Sequence, residues 1–418
     1  MKREDIVDLD RRFVWHPYTS LDAWAKTDPI VVARSEGAWI EDVDGKRYLD
    51  GNASWYTQAL GHGHPRILRA LREQSEKLAH CALAGIAHEP AAKLAEELVA
   101  IAPKGLSKVF YTDDGSTAVE VAIKIAVQHS KKTRFLALAG AYHGDTLGAT
   151  SVGGIEIFTR PFSGVMFDCV RAPLPEDAID AIAEMIRREK DTLAAVVVEP
   201  VVQGSSGMRM YPPERLRELA AVARENDVLL VVDEVFTGYG RTGPMWASEI
   251  AGITPDIMCV GKAMSAVIPM GATLVTDRVL DAFRGGKENT LYYGHSFCGN
   301  PIGSALAREV LAIYRDERIL ENAKPKAAAI ARAFEELGRL PGVAAVRSRG
   351  MIGAADLSSS ASYSGELGWR VYEEARKRGA YCRPLGDTVY VTPPLVISDA
   401  DLGRLLDILA ESVRVVLS

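Results

Sequence analysis

The chain is organised around two short apolar runs that each lead to a charged residue. The first, Val228 to Val232, is unbroken and rich in β-branched residues, and Asp233 follows it directly. The second, Ile257 to Val260, precedes Lys262. Continuous apolar runs of this length are typical of strands buried on both faces of a parallel sheet. Because ligands of open α/β sheets bind outside the carboxyl ends of the strands, we expect this acid and this amine at one rim.

Asp233 and Lys262 are the pair that a pyridoxal 5′-phosphate (PLP) enzyme requires. A lysine amine forms a Schiff base with the cofactor aldehyde, and an aspartate keeps the pyridine nitrogen protonated so that the ring accepts electrons. Each residue also has a common structural explanation. An Asp at a strand end often caps the next helix, and a Lys is usually a solvated surface charge. The remaining motifs decide between these interpretations.

A phosphate site is indicated by a strand, a turn and a helix in succession. A short apolar strand precedes Gly115 and Ser116, and apolar residues recur at helical spacing from Ala118 to Val127. Free backbone amides and the positive end of the helix dipole then meet at the turn, which is the arrangement that binds phosphate. The spacing of Thr117 and Glu120 predicts a capping box at the helix start. A capped helix without a ligand is the alternative explanation.

Further strands alternate with helical segments through the middle of the chain. Phe135 to Leu138 precedes Tyr142, an aromatic side chain of the kind that stacks on a cofactor ring, and Ala194 to Val198 ends at Glu199. This alternation predicts a mainly parallel sheet covered by helices on both sides. The fold class is therefore α/β.

The two ends of the chain have a different pattern. Asp42 to Lys46 predicts a hairpin turn between two short strands, which are too few to fold alone. Beyond residue 301 long helices alternate with short strands, as in a smaller α+β lobe. We predict an N-terminal segment, residues 1–55, that packs with the small domain, a large domain at 56–300 and the small domain at 301–418.

Composition excludes several classes of function. A net charge of −6 disfavours nucleic acid and anionic membranes as partners, and no run approaches the roughly 18 apolar residues of a membrane span. The five cysteines have no disulfide or zinc spacing, and no further ligand accompanies His62 and His64, so we expect no metal. The charged start lacks an apolar signal region. We expect a soluble, cytoplasmic enzyme.

The segment from Gly238 to Gly243 matches the dinucleotide-binding fingerprint, yet no helical pattern opens there and Pro244 interrupts it. We interpret it as a loop that shapes the floor of the site, and we expect Arg241 to form an internal ion pair.

Taken together, the motifs form an ordered series that resembles the class III, or ω-, aminotransferases of PLP fold type I over essentially the whole chain. The series is Gly115-Ser116-Thr117, Tyr142-His143-Gly144-Asp145, Glu199-Pro200, Asp233-Glu234-Val235, Gly240-Arg241-Thr242-Gly243, Gly261-Lys262 and Gly299-Asn300-Pro301. The resemblance implies a large domain with a mainly parallel sheet and a smaller α+β domain. It also implies a transaminase that uses PLP as cofactor.

The same resemblance implies roles for individual residues. Lys262 would carry PLP and move the proton, with Asp233 at the pyridine nitrogen and Tyr142 stacked on the ring. His143 belongs to the same cofactor site. The resemblance implies further that Gly115 and Ser116 bind the phosphate, and that Ser296 binds it across a homodimer interface.

Three further stretches are similar to the branch of this family that aminates 8-amino-7-oxononanoate to 7,8-diaminononanoate in biotin biosynthesis. They are Trp15-His16-Pro17-Tyr18-Thr19-Ser20, Ser54-Trp55-Tyr56 and Arg383-Pro384-Leu385-Gly386. By this resemblance Tyr18, Trp55 and Tyr56 line the substrate pocket and Arg383 binds the substrate carboxylate. The amino donor of this branch is usually S-adenosylmethionine and in some members lysine.

One substitution agrees with this branch and one stretch departs from the family. Ornithine- and GABA-type relatives carry a Glu where this chain has Ser205, and without that Glu, Arg383 is free to bind a carboxylate. After the lysine, the family often continues with Thr-Gly-Gly, whereas this chain has the residues Ala263 to Pro269. We therefore predict a differently shaped loop after Lys262. Another ω-aminotransferase acting on a different amine or pyruvate, a PLP racemase or aminomutase, and a noncatalytic binding protein are the alternatives.

Overall fold

The computed structural model describes the backbone of residues 1–418 and every side chain except that of Asp177. The strands, numbered along the chain, are β1 Val32–Glu36, β2 Trp39–Asp42, β3 Arg47–Asp50, β4 Leu106–Thr112, β5 Arg134–Leu138, β6 Cys169–Ala172, β7 Leu193–Val198, β8 Val202–Gln203, β9 Arg209–Met210, β10 Leu229–Asp233, β11 Ile257–Val260, β12 Gly271–Thr276, β13 Ala345–Arg349, β14 Ile352–Asp356, β15 Ala380–Tyr381 and β16 Thr388–Val391. The helices are α1 Arg3–Phe13, α2 Leu21–Lys26, α3 Ala53–Tyr56, α4 Pro65–Lys77, α5 Glu89–Ile101, α6 Gly115–Ser130, α7 Leu147–Val152, α8 Glu156–Thr159, α9 Pro175–Glu189, α10 Pro213–Glu225, α11 Ser248–Ala251, α12 Asp277–Leu280, α13 Pro301–Asp316, α14 Ile319–Leu337, α15 Leu367–Lys377 and α16 Asp399–Leu417.

A seven-stranded sheet in the order β4-β12-β11-β10-β7-β5-β6 forms the centre of the molecule. The strand β12 is antiparallel to both of its neighbours, and the other pairings in the sheet are parallel. The prediction of an α/β fold with a mainly parallel sheet is therefore confirmed. The carboxyl ends of the parallel strands β4, β5, β7, β10 and β11 share one edge, so polar groups that follow them are brought together.

The central strands are buried on both faces, which explains why their sequences are apolar without alternation. Leu230 and Val232 of β10 pack into the cluster that includes helices α9 and α10. Their neighbours Leu229 and Val231 point to the opposite face, into the cluster that includes α6. Successive side chains of a strand point to opposite faces, so both faces require an apolar residue here.

Helix α6 begins earlier than the predicted capping box implied. The N-cap is Asp114, whose carboxylate accepts a hydrogen bond from the Thr117 amide at 2.7 Å. The prediction that Thr117 and Glu120 form the box was wrong, because Glu120 instead accepts from the amide of Gly148 at 2.6 Å. The earlier start brings the first amides of a sixteen-residue helix to the carboxyl edge of the sheet.

The N-terminal strands join a strand from the C-terminal part of the chain. The predicted hairpin at Asp42 to Lys46 is confirmed, since β2 and β3 are antiparallel and the Asp42 amide donates to the Lys46 carbonyl at 2.9 Å. Strand β3 then pairs in parallel with β15, in the four-stranded sheet β1-β2-β3-β15. A third sheet has the order β13-β14-β16. Among the described residues, no helix combines the length and the apolar character needed to cross a bilayer.

Candidate active site

A cavity of about 650 Å³ lies at the carboxyl edge of the central sheet. Its walls come from segments that follow β4, β5, β7, β10 and β11. The predicted site residues that line it are Tyr56, Gly115, Ser116, Tyr142, His143, Asp233 and Lys262. The parallel sheet therefore assembles residues that are far apart in the sequence.

Lys262 lies on the cavity wall directly after strand β11. Burial lowers the pKa of its amine, while the carboxylates of Asp233 and Glu199 counteract that effect. Its backbone φ is +47°, a left-handed conformation that is uncommon for residues other than glycine. The lowered pKa favours the neutral amine, which is the form that acts as a nucleophile or base.

Asp233 faces the cavity and is held by a buried histidine. One carboxylate oxygen is 2.8 Å from His143 Nδ1, and the other accepts from the Val235 amide at 3.0 Å. The next residue, Glu234, points away and accepts from the Ser248 amide at 2.7 Å. His143 Nε2 is buried and has no partner among the described atoms. The strand alternation thus makes Asp233, and not Glu234, the carboxylate of the cavity.

The turn at Gly115 and Ser116 is closely packed against the neighbouring segments. A Cβ atom added at Gly115 would be 2.4 Å from Val235 Cγ1, so a side chain has no room there. The Ser116 hydroxyl contacts Thr146 Oγ1 at 2.9 Å and accepts from the Thr146 amide at 3.0 Å. Gly115 and Ser116 both line the cavity, so the start of α6 lies at its edge, where a helix can bind an anion.

The residues present fit PLP. The helix start offers amides to a phosphate, Asp233 offers a carboxylate to a pyridine nitrogen, and Lys262 offers a partly buried amine with a lowered pKa to an aldehyde. The side chains of His143 and Asp233 are 0% and 5% exposed, so their contact is kept from water. In the described part of the chain, no group of His, Cys, Asp and Glu has the geometry of a metal site.

Tyr142 belongs to a hydrogen-bonded group that closes one side of the cavity. Its hydroxyl donates to Asp145 at 2.8 Å, and the Tyr18 hydroxyl donates to the same carboxylate at 2.6 Å. The Tyr142 amide donates to Glu199 at 3.0 Å. Burial raises the pKa of both phenols, which remain hydrogen-bond donors at neutral pH. Asp145 is a site residue that sequence reasoning did not identify, although it lies in the predicted Tyr-His-Gly-Asp motif.

Arg383 lies outside the cavity wall, between two tryptophans. Its guanidinium is 5.3 Å from the ring centroid of Trp55 and 5.3 Å from that of Trp369. Among the described side chains, no carboxylate lies within ion-pair distance of it. Ser205, which lines the cavity, adds no negative charge. Stacking thus orients the guanidinium and leaves its N–H groups free for an anionic ligand.

Trp55 and Tyr56 belong to α3, residues 53–56, whose backbone forms a left-handed turn and not a right-handed helix. The φ angles of Ala53, Ser54, Trp55 and Tyr56 are +46°, +45°, +56° and +73°. Left-handed backbone costs roughly 1–2 kcal/mol per residue for amino acids other than glycine. Side-chain contacts therefore have to hold this turn in place, and no glycine signal in the sequence predicts it.

Ser296 lies away from the cavity, and Arg241 does not have the partner that we expected. Ser296 is in an exposed turn and does not line the cavity of the single chain. The prediction of an ion pair for Arg241 was wrong. Its guanidinium donates to the Pro393 carbonyl at 2.8 Å and, among the described side chains, has no carboxylate partner. Backbone carbonyls just before β14 and after β16 accept hydrogen bonds from this guanidinium in place of a carboxylate.

The loop after Lys262 forms part of the cavity wall. Ser265, Val267 and Pro269 line it, and Ala266 has a φ of +62°. The amide side chain of Gln58 donates to the Ala266 carbonyl at 2.6 Å and fixes the loop.

Comparison with known proteins agrees with the geometry. The sequence profile of the family described as "Aminotransferase class-III" matches residues 21–413. The adenosylmethionine-8-amino-7-oxononanoate aminotransferase of Geobacter sulfurreducens is 38% identical over 440 residues, which cover 98% of this chain and 97% of that protein. The crystal structure of the aminotransferase of the same name from Methanocaldococcus jannaschii superposes with a TM-score of 0.95 at 33% identity, covering 99% of both chains. An ω-transaminase from Pseudomonas jessenii in complex with PMP has a TM-score of 0.93 at 27% identity, over 98% of both chains.

Proposed function

Because this chain belongs to the class III aminotransferases, a family of PLP-dependent transaminases, we propose that it converts 8-amino-7-oxononanoate to 7,8-diaminononanoate. This reaction is a step of biotin biosynthesis, and similar proteins are named after its substrate. The amino donor is S-adenosylmethionine, the donor in those names, and lysine is the alternative donor. The enzyme acts in the cytoplasm.

Each residue of the cavity has a distinct task in this proposal. PLP, when bound, supplies an aldehyde that takes up the amine and a ring that accepts electrons. Lys262 Nζ would hold the cofactor aldehyde, and its amine in the neutral form would remove and return the proton at the substrate carbon. Asp233, oriented by His143, presents a carboxylate to the pyridine nitrogen. The lowered pKa of Lys262 keeps a neutral amine available for proton transfer.

The other residues bind and orient. The amides of Gly115 and Ser116 hold the cofactor phosphate at the start of α6. Tyr142 stacks on the ring, and its hydrogen bonds to Asp145 and Glu199 fix its orientation. Tyr18, Trp55 and Tyr56 enclose the aliphatic chain of the substrate. Tyr56, which lines the cavity, would lie against the part of this chain nearest to Lys262.

The observation that carries the substrate assignment is the unpaired guanidinium of Arg383. A cation held between Trp55 and Trp369 is preorganised for a planar carboxylate, and the charge-assisted bonds it makes are stronger than neutral ones. 8-Amino-7-oxononanoate has its carboxylate at the end of a flexible chain, far from the reacting ketone. An arginine that contacts aromatic side chains suits such a molecule.

The active enzyme is a homodimer in this proposal. Ser296 is exposed in the single chain and lies in the segment just before α13. Its hydroxyl reaches the phosphate site of the partner protomer, so each site is completed by the other chain.

The test is a product assay with purified holoenzyme. We expect 7,8-diaminononanoate, identified by mass spectrometry, from 8-amino-7-oxononanoate and either S-adenosylmethionine or lysine. The control substrate is 2-aminononan-3-one, in which a methyl group replaces the carboxylate, and we expect kcat/KM to be about 10- to 100-fold lower for it. Equal rates for both ketones would contradict the role of Arg383.

A second candidate is an ω-transaminase acting on another amine or on pyruvate. The similarity to the Pseudomonas jessenii ω-transaminase favours it. Turnover of pyruvate with simple amines, without formation of 7,8-diaminononanoate, would select this function and leave the roles of Lys262 and Asp233 unchanged.

A further inference from the structure

We propose that Asp50 and Asn52 are positioning residues that set substrate selectivity by holding the left-handed turn in register with Arg383. Neither residue lines the cavity. The proposal rests on the proposed function, in which Trp55, Tyr56 and Arg383 bind the substrate. It deepens that function by naming the groups that fix the distance between the aromatic wall and the carboxylate site.

Asp50 holds the turn through a fully buried carboxylate. The residue is 1% exposed, and one of its oxygens accepts from the Ser54 hydroxyl at 2.8 Å. The same oxygen is 2.9 Å from His62 Nε2, and the other accepts from the Asn52 amide at 3.3 Å. An ionised carboxylate only accepts hydrogen bonds, so His62 is the donor in this contact. Asp50 therefore collects donors from the residue that precedes the turn, from Ser54 within it and from His62 further along the chain.

Asn52 joins the turn to the arginine. Its side-chain oxygen accepts from the backbone amide of Arg383 at 2.6 Å, and its backbone carbonyl accepts from the Tyr56 amide at 2.9 Å. Asn52 is 0% exposed. The strands agree with this link, because Asp50 of β3 pairs with Tyr381 of β15, two residues before Arg383. The turn and the arginine thus leave the same parallel strand pair side by side.

The residues of the turn act on both parts of the substrate site. The Trp55 ring contacts the Arg383 guanidinium on one side and lies 5.9 Å from the Tyr18 ring on the other. The Tyr56 hydroxyl is 2.9 Å from that of Tyr390, and its ring is 5.7 Å from Lys262 Nζ. A turn that relaxed toward right-handed backbone would redirect both aromatic side chains. Such a change would affect substrate binding more strongly than it affects the residues proposed to bind the cofactor.

The test compares Asp50→Asn with a matched variant in the same small sheet. Asp42 is also buried, and its carboxylate accepts from the Asp44 amide, the Lys46 amide and the Tyr48 hydroxyl, but it makes no contact with the turn. Asp50→Asn removes one acceptor oxygen from the turn. We expect it to raise KM for 8-amino-7-oxononanoate about tenfold, with kcat within about twofold of wild type. Asp42→Asn should leave both constants near wild type.

A rescue variant separates positioning from general destabilisation. Ala53 has a φ of +46°, and glycine adopts this conformation without steric cost. Asp50→Asn combined with Ala53→Gly should therefore recover most of the lost selectivity for 8-amino-7-oxononanoate over 2-aminononan-3-one. A selectivity ratio unchanged by Asp50→Asn, a loss just as large in Asp42→Asn, or no recovery in the double variant would each overturn the proposal.

A crystal structure of the Asp50→Asn holoenzyme tests the turn without reference to any substrate. We expect residues 53–56 to depart from left-handed backbone, or Trp55 to leave the Arg383 guanidinium. An unchanged turn with Trp55 still stacked would overturn the positioning role. Wild-type enzyme that does not distinguish the two ketones would instead contradict the role of Arg383 in the proposed function, and the two failures are thus separable.

Discussion

Replacing Gly115 with alanine should weaken PLP binding, because this position touches the wall of the cavity. A Cβ at residue 115 would lie 2.4 Å from Val235 Cγ1 and 2.9 Å from Val235 Cγ2. Carbon atoms pack at about 3.5–4.0 Å, so one of the two segments has to move by roughly 1 Å. A movement of that size takes the first amides of α6 out of hydrogen-bonding distance of the phosphate.

The size of the effect follows from the bonds that are lost. A hydrogen bond to a charged group contributes about 1.5–3 kcal/mol, so the dissociation constant for PLP should rise about 10- to 150-fold. The helix itself should tolerate the change, because alanine favours helix by about 1 kcal/mol over glycine. Spectroscopic titration of the apoenzyme with PLP measures the dissociation constant.

Gly403 offers the matched control. It lies in α16, and a Cβ there would have nothing within 4 Å. Gly403→Ala should leave PLP binding unchanged, and shortening the opposing side chain in Gly115→Ala/Val235→Ala should recover part of the lost affinity. A dissociation constant for Gly115→Ala within about twofold of the wild-type value would refute the reasoning, because it would mean that the added Cβ does not displace the phosphate site.

Three further variants test other parts of the site. Lys262→Ala should lower turnover by about 10²–10⁴-fold yet retain PLP, measured as cofactor released from the washed protein, and near wild-type turnover would refute the assignment of Lys262. Tyr18→Phe removes the 2.6 Å bond to Asp145 and should lower kcat/KM by about 5- to 30-fold, while an unchanged value would show that the hydroxyl is dispensable. Burial raises the pKa of Glu199 from 4.5 to about 7. The folded state therefore holds its proton more tightly than the unfolded chain, and stability falls by up to about 3 kcal/mol as pH rises from about 4.5 to about 7. Glu199→Gln should flatten this slope in thermal denaturation across that range, and an equally steep slope would contradict the buried proton.

The parts of the fold that sequence predicts are those with a strong local pattern. The short, β-branched run before Asp233 favours a strand with both faces buried, and the structure has β10 there. Position at the carboxyl end of such a strand then predicts that Asp233, Lys262 and the start of α6 meet, as they do. This prediction needs no distances, because ligands of open α/β sheets generally bind at the carboxyl ends of the strands.

The parts that sequence reasoning missed depend on contacts between distant residues. The hydrogen bond from Tyr18 to Asp145 joins positions 127 residues apart, and nothing local marks Asp145 as its acceptor. Residues 53–56 contain no glycine, so their own conformational preferences do not predict their positive φ angles, and the contact of Ser54 with the buried Asp50 is visible only in the structure. The Arg241 ion pair was a reasonable expectation for a buried cation, yet backbone carbonyls satisfy it.

The substrate assignment is tested most directly by the two half-reactions, followed in the visible absorbance of the PLP-loaded enzyme. We predict that S-adenosylmethionine or lysine, mixed with the enzyme in a single turnover, bleaches the cofactor band and that 8-amino-7-oxononanoate then restores it. Restoration by pyruvate but not by 8-amino-7-oxononanoate would contradict the proposed substrate. A band that no amine bleaches would contradict transamination itself.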